Sequence, residues 1–181
     1  GETKLNILQT RNAKRTAAAD IRSAFEMVEE GLITKSKAVS RIAADSIGDL
    51  LVSRFDPEAK KQAIKDGKLI SQTGMNASPG AGIGRIALDK ETAQRWAAAG
   101  EKNIILLREE TSPDDLTGML LSKAIGTTRG GRTSHAAVVS RQFGIPAVVS
   151  ISNMKINFTA RTVTFTVRND DGTVREVVLK E

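Results

Sequence analysis

"NIILLREE", residues 103–110, decides the fold. Four apolar residues in a row, Ile104 to Leu107, are bounded on both sides by polar ones. So short and unbroken a run reads as a strand covered on both faces, the habit of a parallel sheet between two layers. The elements around it alternate in type. "TSPDDLTGMLLSKA" (111–124) reads as a helix, with Ser112 as N-cap, Pro113 at the first helical position, and Asp114 and Asp115 against the positive end of its dipole. "AIGTTRGG" (124–131) reads as a short strand and loop, "SHAAVVSRQFG" (134–144) as a helix stopped by Gly144, and "IPAVVSI" (145–151) as a strand.

Upstream, "KLISQTGMNASPGAGIGRIALD" (68–89) reads as a strand, a glycine-rich turn and a second strand, followed by a short helix in "KETAQRWAAAG" (90–100). Downstream, "TVTFTVRNDDGTVREVVL" (162–179) predicts a hairpin: Val163, Phe165 and Val167 alternate with threonines, and "NDDG" supplies the turn. The mixture of strands and helices predicts a sheet-rich α/β sandwich over residues 72–181.

Residues 12–71 read differently. "KRTAAADIRSAFEMVEEG" (14–31) places Ala17, Ile21, Ala24 and Val28 near a 3.6-residue period, with Gly31 as its stop. "TKSKAVSRIAADSIGDLLVSRF" (34–55) continues as helix, with Ile47, Leu50, Leu51 and Phe55 as its apolar stripe. "DPEAKKQAIKDG" (56–67) shows Asp56 as N-cap, Pro57 at N1 and Gly67 past the end. These short amphipathic helices are expected to lean on something beyond this segment.

Composition narrows the functional classes. Aromatics are 3% of the 181 residues, which argues against base-stacking platforms for single-stranded nucleic acid. The +6 net charge is scattered, with no Lys/Arg run longer than two, so solvated faces are favoured over a nucleic-acid footprint. No cysteine is present, which excludes disulfides, thiol catalysis and cysteine-ligated metal. No apolar run approaches the roughly 20 residues of a bilayer span, and the first residues show no signal-peptide core. A cytoplasmic protein without a membrane partner is expected.

Two glycine-rich stretches invite a phosphate-binding reading. "SPGAGIGR" (78–85) has the spacing G-x-G-x-G, is followed by a strand, and lacks a Lys-Ser/Thr completion, so it fits neither the dinucleotide nor the Walker pattern. A tight turn between strands is favoured there.

"GGRTSHAAVV" (130–139) differs. Gly130 and Gly131 free the backbone just before a helix. Thr133 and Ser134 are good N-cap residues, and His135, the only histidine, falls in the first turn. The exposed N–H groups of a helix start bind anions and disfavour an imidazolium. A neutral ring keeps a lone pair that can attack phosphorus. The added charge would then face backbone donors and the Thr133 and Ser134 hydroxyls. The competing reading is a first-turn histidine making a local hydrogen bond, which is commoner on general grounds. With one His and no Cys a metal site is not expected, and no G-x-S-x-G elbow supports a Ser-His-Asp hydrolase.

"GGRTSHAAVVSRQFGIPAVV" (130–149) resembles the phosphohistidine signature of the PEP-utilizing enzymes. "GMNASPGAGIGRI" (74–86) resembles the opening of their swivelling domain, and "LLREETSPDDLTGM" (106–119) resembles the pattern between the two. "LQTRNAKRTAAADIRSAFEMVEEGLITKSKAVSRI" (8–42) narrows the resemblance to the pyruvate phosphate dikinases, over residues 7–150.

That resemblance implies a swivelling β/β/α phosphohistidine domain at 72–181. Ahead of it would lie an all-helical linker at 12–71 and, at 1–11, the end of an ATP-grasp domain. It implies that His135 takes a phosphoryl group derived from ATP and donates it to pyruvate, making phosphoenolpyruvate. Gly131, Thr133 and Ser134 would stabilise the phosphate, and Thr133 matches a threonine that is regulated in plant relatives. Gln9 and Arg11 match residues at an ATP site. The implied partners are an ATP-grasp domain and a PEP/pyruvate barrel, in cis or in trans, which would also hold Mg2+. This chain itself would hold no cofactor. A non-catalytic regulatory or binding role is the alternative.

Three departures stand out. Arg132 replaces the usual Met, Ser150 replaces the usual Gly, and "NFTARTVTFTVRNDDGTV" (157–174) lacks the usual glycine-aspartate pattern.

Overall fold

The computed structural model describes residues 9, 17–68, 70, 73–168 and 172–181. The chain divides into two compact units, Gly1–Leu51 and Val52–Glu181. The boundary falls inside the stretch that reads as helical.

In the first unit, α1 (Ala17–Glu29), α2 (Lys35–Arg41) and α3 (Ala44–Leu51) follow one another. The α1 end closes as a Schellman motif: the Gly31 N–H donates to Val28 O (3.1 Å) and the Leu32 N–H to Met27 O (2.9 Å). Thr34 caps α2, its hydroxyl accepting from the Lys37 N–H at 3.2 Å. The single helix expected over 34–55 is two. β-Branched Ile42 takes extended backbone angles and breaks it, and Phe55 lies beyond the end of α3. Of the expected apolar stripe Ile47, Leu50, Leu51 and Phe55, the side chain of Leu50 lies outside the described residues and the other three are exposed. The buried apolar residues described in this unit are Ala24 and Ala38.

The second unit begins with α4 (Pro57–Lys65), where Asp56 Oδ1 accepts from the Ala59 N–H at 2.8 Å. A five-stranded sheet follows. It holds β1 (Met75–Ser78), β2 (Arg85–Ala87), β3 (Ile104–Arg108), β4 (Ala124–Thr127) and β5 (Ala147–Val149), in the order β1-β5-β4-β3-β2. Only β1 runs antiparallel to its neighbour. The helices α5 (Lys90–Ala98), α6 (Leu116–Leu120) and α7 (His135–Phe143) connect the parallel strands. A single 3-10 turn at Pro113–Asp115 precedes α6, where the sequence suggested one continuous helix.

β3 is covered on both faces, as its composition predicts. Ile104 and Leu106 are fully buried in a cluster with Ala93, Met119, Ala136 and Ala137 of the helices. Leu107 points the other way, into a second cluster with Val163 and Phe165. Those two belong to a three-stranded antiparallel sheet, β6 (Met154–Asn157), β7 (Thr162–Arg168) and β8 (Val174–Lys180). The unit is therefore a three-layer helix–sheet–sheet sandwich, the α/β class expected. The β7–β8 hairpin pairs Thr162 with Lys180 through to Arg168 with Val174. β6, "MKIN", was not read from the sequence.

The glycine-rich segment corrects the sequence reading. β1 and β2 lie at opposite edges of the sheet, so residues 79–84 are not a turn between paired strands. They cross beneath it, past the starts of β5, β4 and β3. A Cβ on Gly80 would lie 2.6 Å from Pro146 Cγ, one on Gly82 2.5 Å from Lys123 O, and one on Gly84 2.3 Å from Asn103 O. The G-x-G-x-G spacing supplies three close backbone approaches.

The small sheet is latched to the β2–α5 junction by Arg161. Its Nη1 meets Asp89 Oδ2 at 2.5 Å, its Nε donates to Glu181 Oε2 at 2.6 Å, and its Nη2 bonds Thr92 Oγ1 at 2.9 Å and Glu181 Oε1. Glu181 Oε1 also accepts the Leu88 N–H at 2.8 Å. Burial pushes the Asp89 carboxyl up, but the hydrogen bonds from Arg161 and Thr92 outweigh it and hold the group below its ordinary value of 3.8.

Candidate functional site

The parallel strands end on one side of the sheet, opposite the glycine crossing. Pairing of β3 and β4 runs on past the strands: the Thr128 N–H donates to Arg108 O at 3.2 Å and the Arg129 N–H to Glu109 O at 2.9 Å. Residues 128–134 then loop over to α7.

The helix starts where the sequence indicates. Ser134 is the N-cap, with extended backbone angles (φ −63°, ψ 157°), and its Oγ accepts from the Ala137 N–H at 3.4 Å. His135 is the first helical residue and is half-buried. Ala136 and Ala137 turn into the core beneath it. Their small side chains let the helix start sit close on the sheet.

The loop is held at several points. The Ser150 hydroxyl donates to Gly130 O, and Ser150 itself takes a positive φ of 56°. Arg141 donates to Arg132 O at 2.7 Å and to Ala77 O at 3.2 Å. Thr127 Oγ1 donates to Arg129 O at 2.6 Å. Gly130 has φ 107°, and a Cβ there would meet Ser134 at 3.0 Å, whereas nothing lies within 4 Å of a Cβ on Gly131. The conformational demand thus falls on the first glycine of the pair.

The partner of the histidine comes from elsewhere. Thr111 Oγ1 lies 3.2 Å from His135 Nδ1, and Thr111 is buried at 5% exposure. With the proton on Nδ1 donated to that oxygen, the Nε2 lone pair is left for chemistry. The sequence singled out neighbouring hydroxyls instead: Ser134 is occupied as the cap, and Thr133 is exposed. The available signal for Thr111 was its place directly before the Ser112-Pro113 helix start. Gln9 is exposed, and Arg11 lies outside the described residues. Among the described residues no three His, Asp or Glu side chains gather as a metal site, and no helix is long and apolar enough to cross a membrane.

Residues 100–172, which hold β3, β4, α7 and the His135 loop, match the mobile domain of the PEP-utilising enzymes. This part of the chain is similar to that mobile domain. It is 45% identical over 161 residues to the pyruvate, phosphate dikinase of Clostridium symbiosum, covering 89% of this chain and 18% of that protein. It is 44% identical over 154 residues to the pyruvate, phosphate dikinase of Rhizobium meliloti, covering 85% and 16%. It is 38% identical over 187 residues to the chloroplastic pyruvate, phosphate dikinase of Flaveria trinervia, covering 98% and 19%. The chain therefore spans less than a fifth of the length of these relatives. The family match covers the three-layer unit from β3 to β7, and the similarity to the dikinases extends upstream of it.

Proposed function

We propose that this chain is the phosphoryl-carrying segment of a pyruvate phosphate dikinase. His135 accepts a phosphoryl group at one active site and releases it at another, linking ATP and phosphate to pyruvate and phosphoenolpyruvate. The observation that supports this most is the histidine's setting. It stands at a helix start, half-buried, with Nδ1 against the Thr111 hydroxyl.

The chemistry follows from that setting. The Nε2 lone pair attacks phosphorus, and the bond from phosphorus to the leaving oxygen breaks. Nδ1–H remains on Thr111, so the ring presents one nitrogen rather than two. Negative charge gained at a helix start is favoured by the first-turn N–H groups and the helix dipole. Arg141, Ser150 and Gly130 keep the loop in one shape, so the ring enters two sites with the same geometry. The ATP-grasp and barrel domains, and the Mg2+ of the parent reaction, belong in this reading to partners in cis or in trans.

The experiment is transfer of labelled phosphate from phosphoenolpyruvate, with a cognate barrel domain supplied in trans. Wild-type chain should gain acid-labile phosphate, and His135→Ala should gain none. The variant should stay folded, losing about 1 kcal/mol, because the buried Thr111 hydroxyl loses its partner. Acid-labile phosphate on His135→Ala would sink the assignment.

A further inference from the structure

We propose that the Arg108–Asp115 pair is a positioning device for His135. It fixes the 111–115 turn, holds the Thr111 hydroxyl against Nδ1, and so sets which ring nitrogen carries the proton. The inference rests on the reading of His135 as the phosphoryl acceptor and adds what orients it.

Asp115 is 4% exposed, an expensive place for a carboxylate unless it is well partnered. Its Oδ2 accepts from the Ser112 N–H at 2.9 Å and from the Ser112 hydroxyl at 3.3 Å. Its Oδ1 lies 3.3 Å from Arg108 Nε, an ion-pair contact off the line of a hydrogen bond. Arg108 is anchored in turn: Nη1 donates to Leu88 O at 3.1 Å, and the guanidinium lies 5.6 Å from the Phe158 ring centre.

The consequence for Thr111 is direct. Ser112 follows it, so holding the Ser112 amide holds the peptide plane that joins the two residues. That plane aims the Thr111 side chain. A solvent-facing cap would start so short a helix without a buried ion pair. The pair instead ties the turn to the ends of β2 and β3, the framework on which the His135 loop is also built. The side-chain partners of Arg108 and Asp115 are Leu88, Ser112, Phe158 and each other, not the ring, so they act through Thr111.

The single histidine makes the test clean. Imidazole proton–nitrogen correlation spectra of the 15N-labelled full chain report the tautomer ratio of His135. Asp115→Asn should shift that ratio about five-fold toward the Nε2–H form, the change an ordinary hydrogen bond supplies, with the backbone amide pattern otherwise retained. A folded Asp115→Asn chain with the wild-type ratio overturns the proposal. If that variant does not fold, Arg108→Gln takes its place and is judged by the same two outcomes. A loss of stability alone would not move the ratio in chains that remain folded. No phosphoryl donor enters the measurement, so failure of the carrier reading, seen as no phosphohistidine on wild-type chain, is detected separately.

Discussion

Thr111 and His135 are 24 residues apart in the chain, and their side chains meet at 3.2 Å. Thr111 ends the segment after β3, and His135 opens the helix after β4, so parallel neighbouring strands bring the pair together. Thr111→Val keeps the shape and removes the oxygen. Phosphoryl uptake by His135 should slow about five- to ten-fold, the worth of a neutral hydrogen bond, while stability stays within about 1 kcal/mol. Rapid-quench uptake and thermal melts check the two halves. An unchanged uptake rate would remove Thr111 from the site.

The glycine crossing makes a steric prediction. Gly84→Ala would press a methyl group against the Asn103 carbonyl, where a Cβ lies 2.3 Å from the oxygen. It should cost at least the roughly 1–3 kcal/mol of an overpacked core. Gly131→Ala meets nothing within 4 Å and should stay within about 0.5 kcal/mol, as surface changes do. Urea titrations of the two variants side by side would show the contrast.

At Ser150 two effects oppose each other. Its φ of 56° favours glycine, and its hydroxyl ties Gly130 O. Ser150→Gly relieves the backbone and loses the bond, so the two changes of about 1 kcal/mol each should nearly cancel. Ser150→Ala keeps the strain and loses the bond, and should be less stable by about 1 kcal/mol. Thermal melts that rank alanine above glycine would refute this ordering.

The Asp89–Arg161 contact predicts an acid limb. The folded Asp89 carboxyl is held below its ordinary value of 3.8, so the folded state binds its proton less readily than the unfolded chain. Its contribution is complete above the unfolded value and is lost as pH falls through the folded one. Asp89→Asn should therefore melt below wild type at neutral pH and converge with it toward pH of about 2. A gap that stays constant from neutral to acid pH would show that the carboxyl is not held down.

Much of this protein was legible along the chain because the signals are local. The run Ile104–Leu107 marks a doubly covered strand by composition alone. Asp56, Ser134 and Gly144 mark helix ends because caps act within a few residues of the backbone groups they satisfy. His135 stood out because one histidine sat at such a start.

Only the tertiary structure decided what depends on strand order. "SPGAGIGR" reads as a turn when β1 and β2 are assumed adjacent. The observed order puts them at opposite edges and turns the same glycines into a crossing. The histidine's partner was hidden for the same reason. Thr133 and Ser134 are its neighbours in sequence, but the N-cap geometry commits Ser134 to the Ala137 N–H and leaves Thr133 in solvent. Thr111 reaches the ring because β3 and β4 are parallel and end together, and Asp115 and Ser150 reach the site by the same convergence of strand ends. Local chemistry sets where elements begin and stop, while the pairing of strands far apart in sequence sets which side chains share a site.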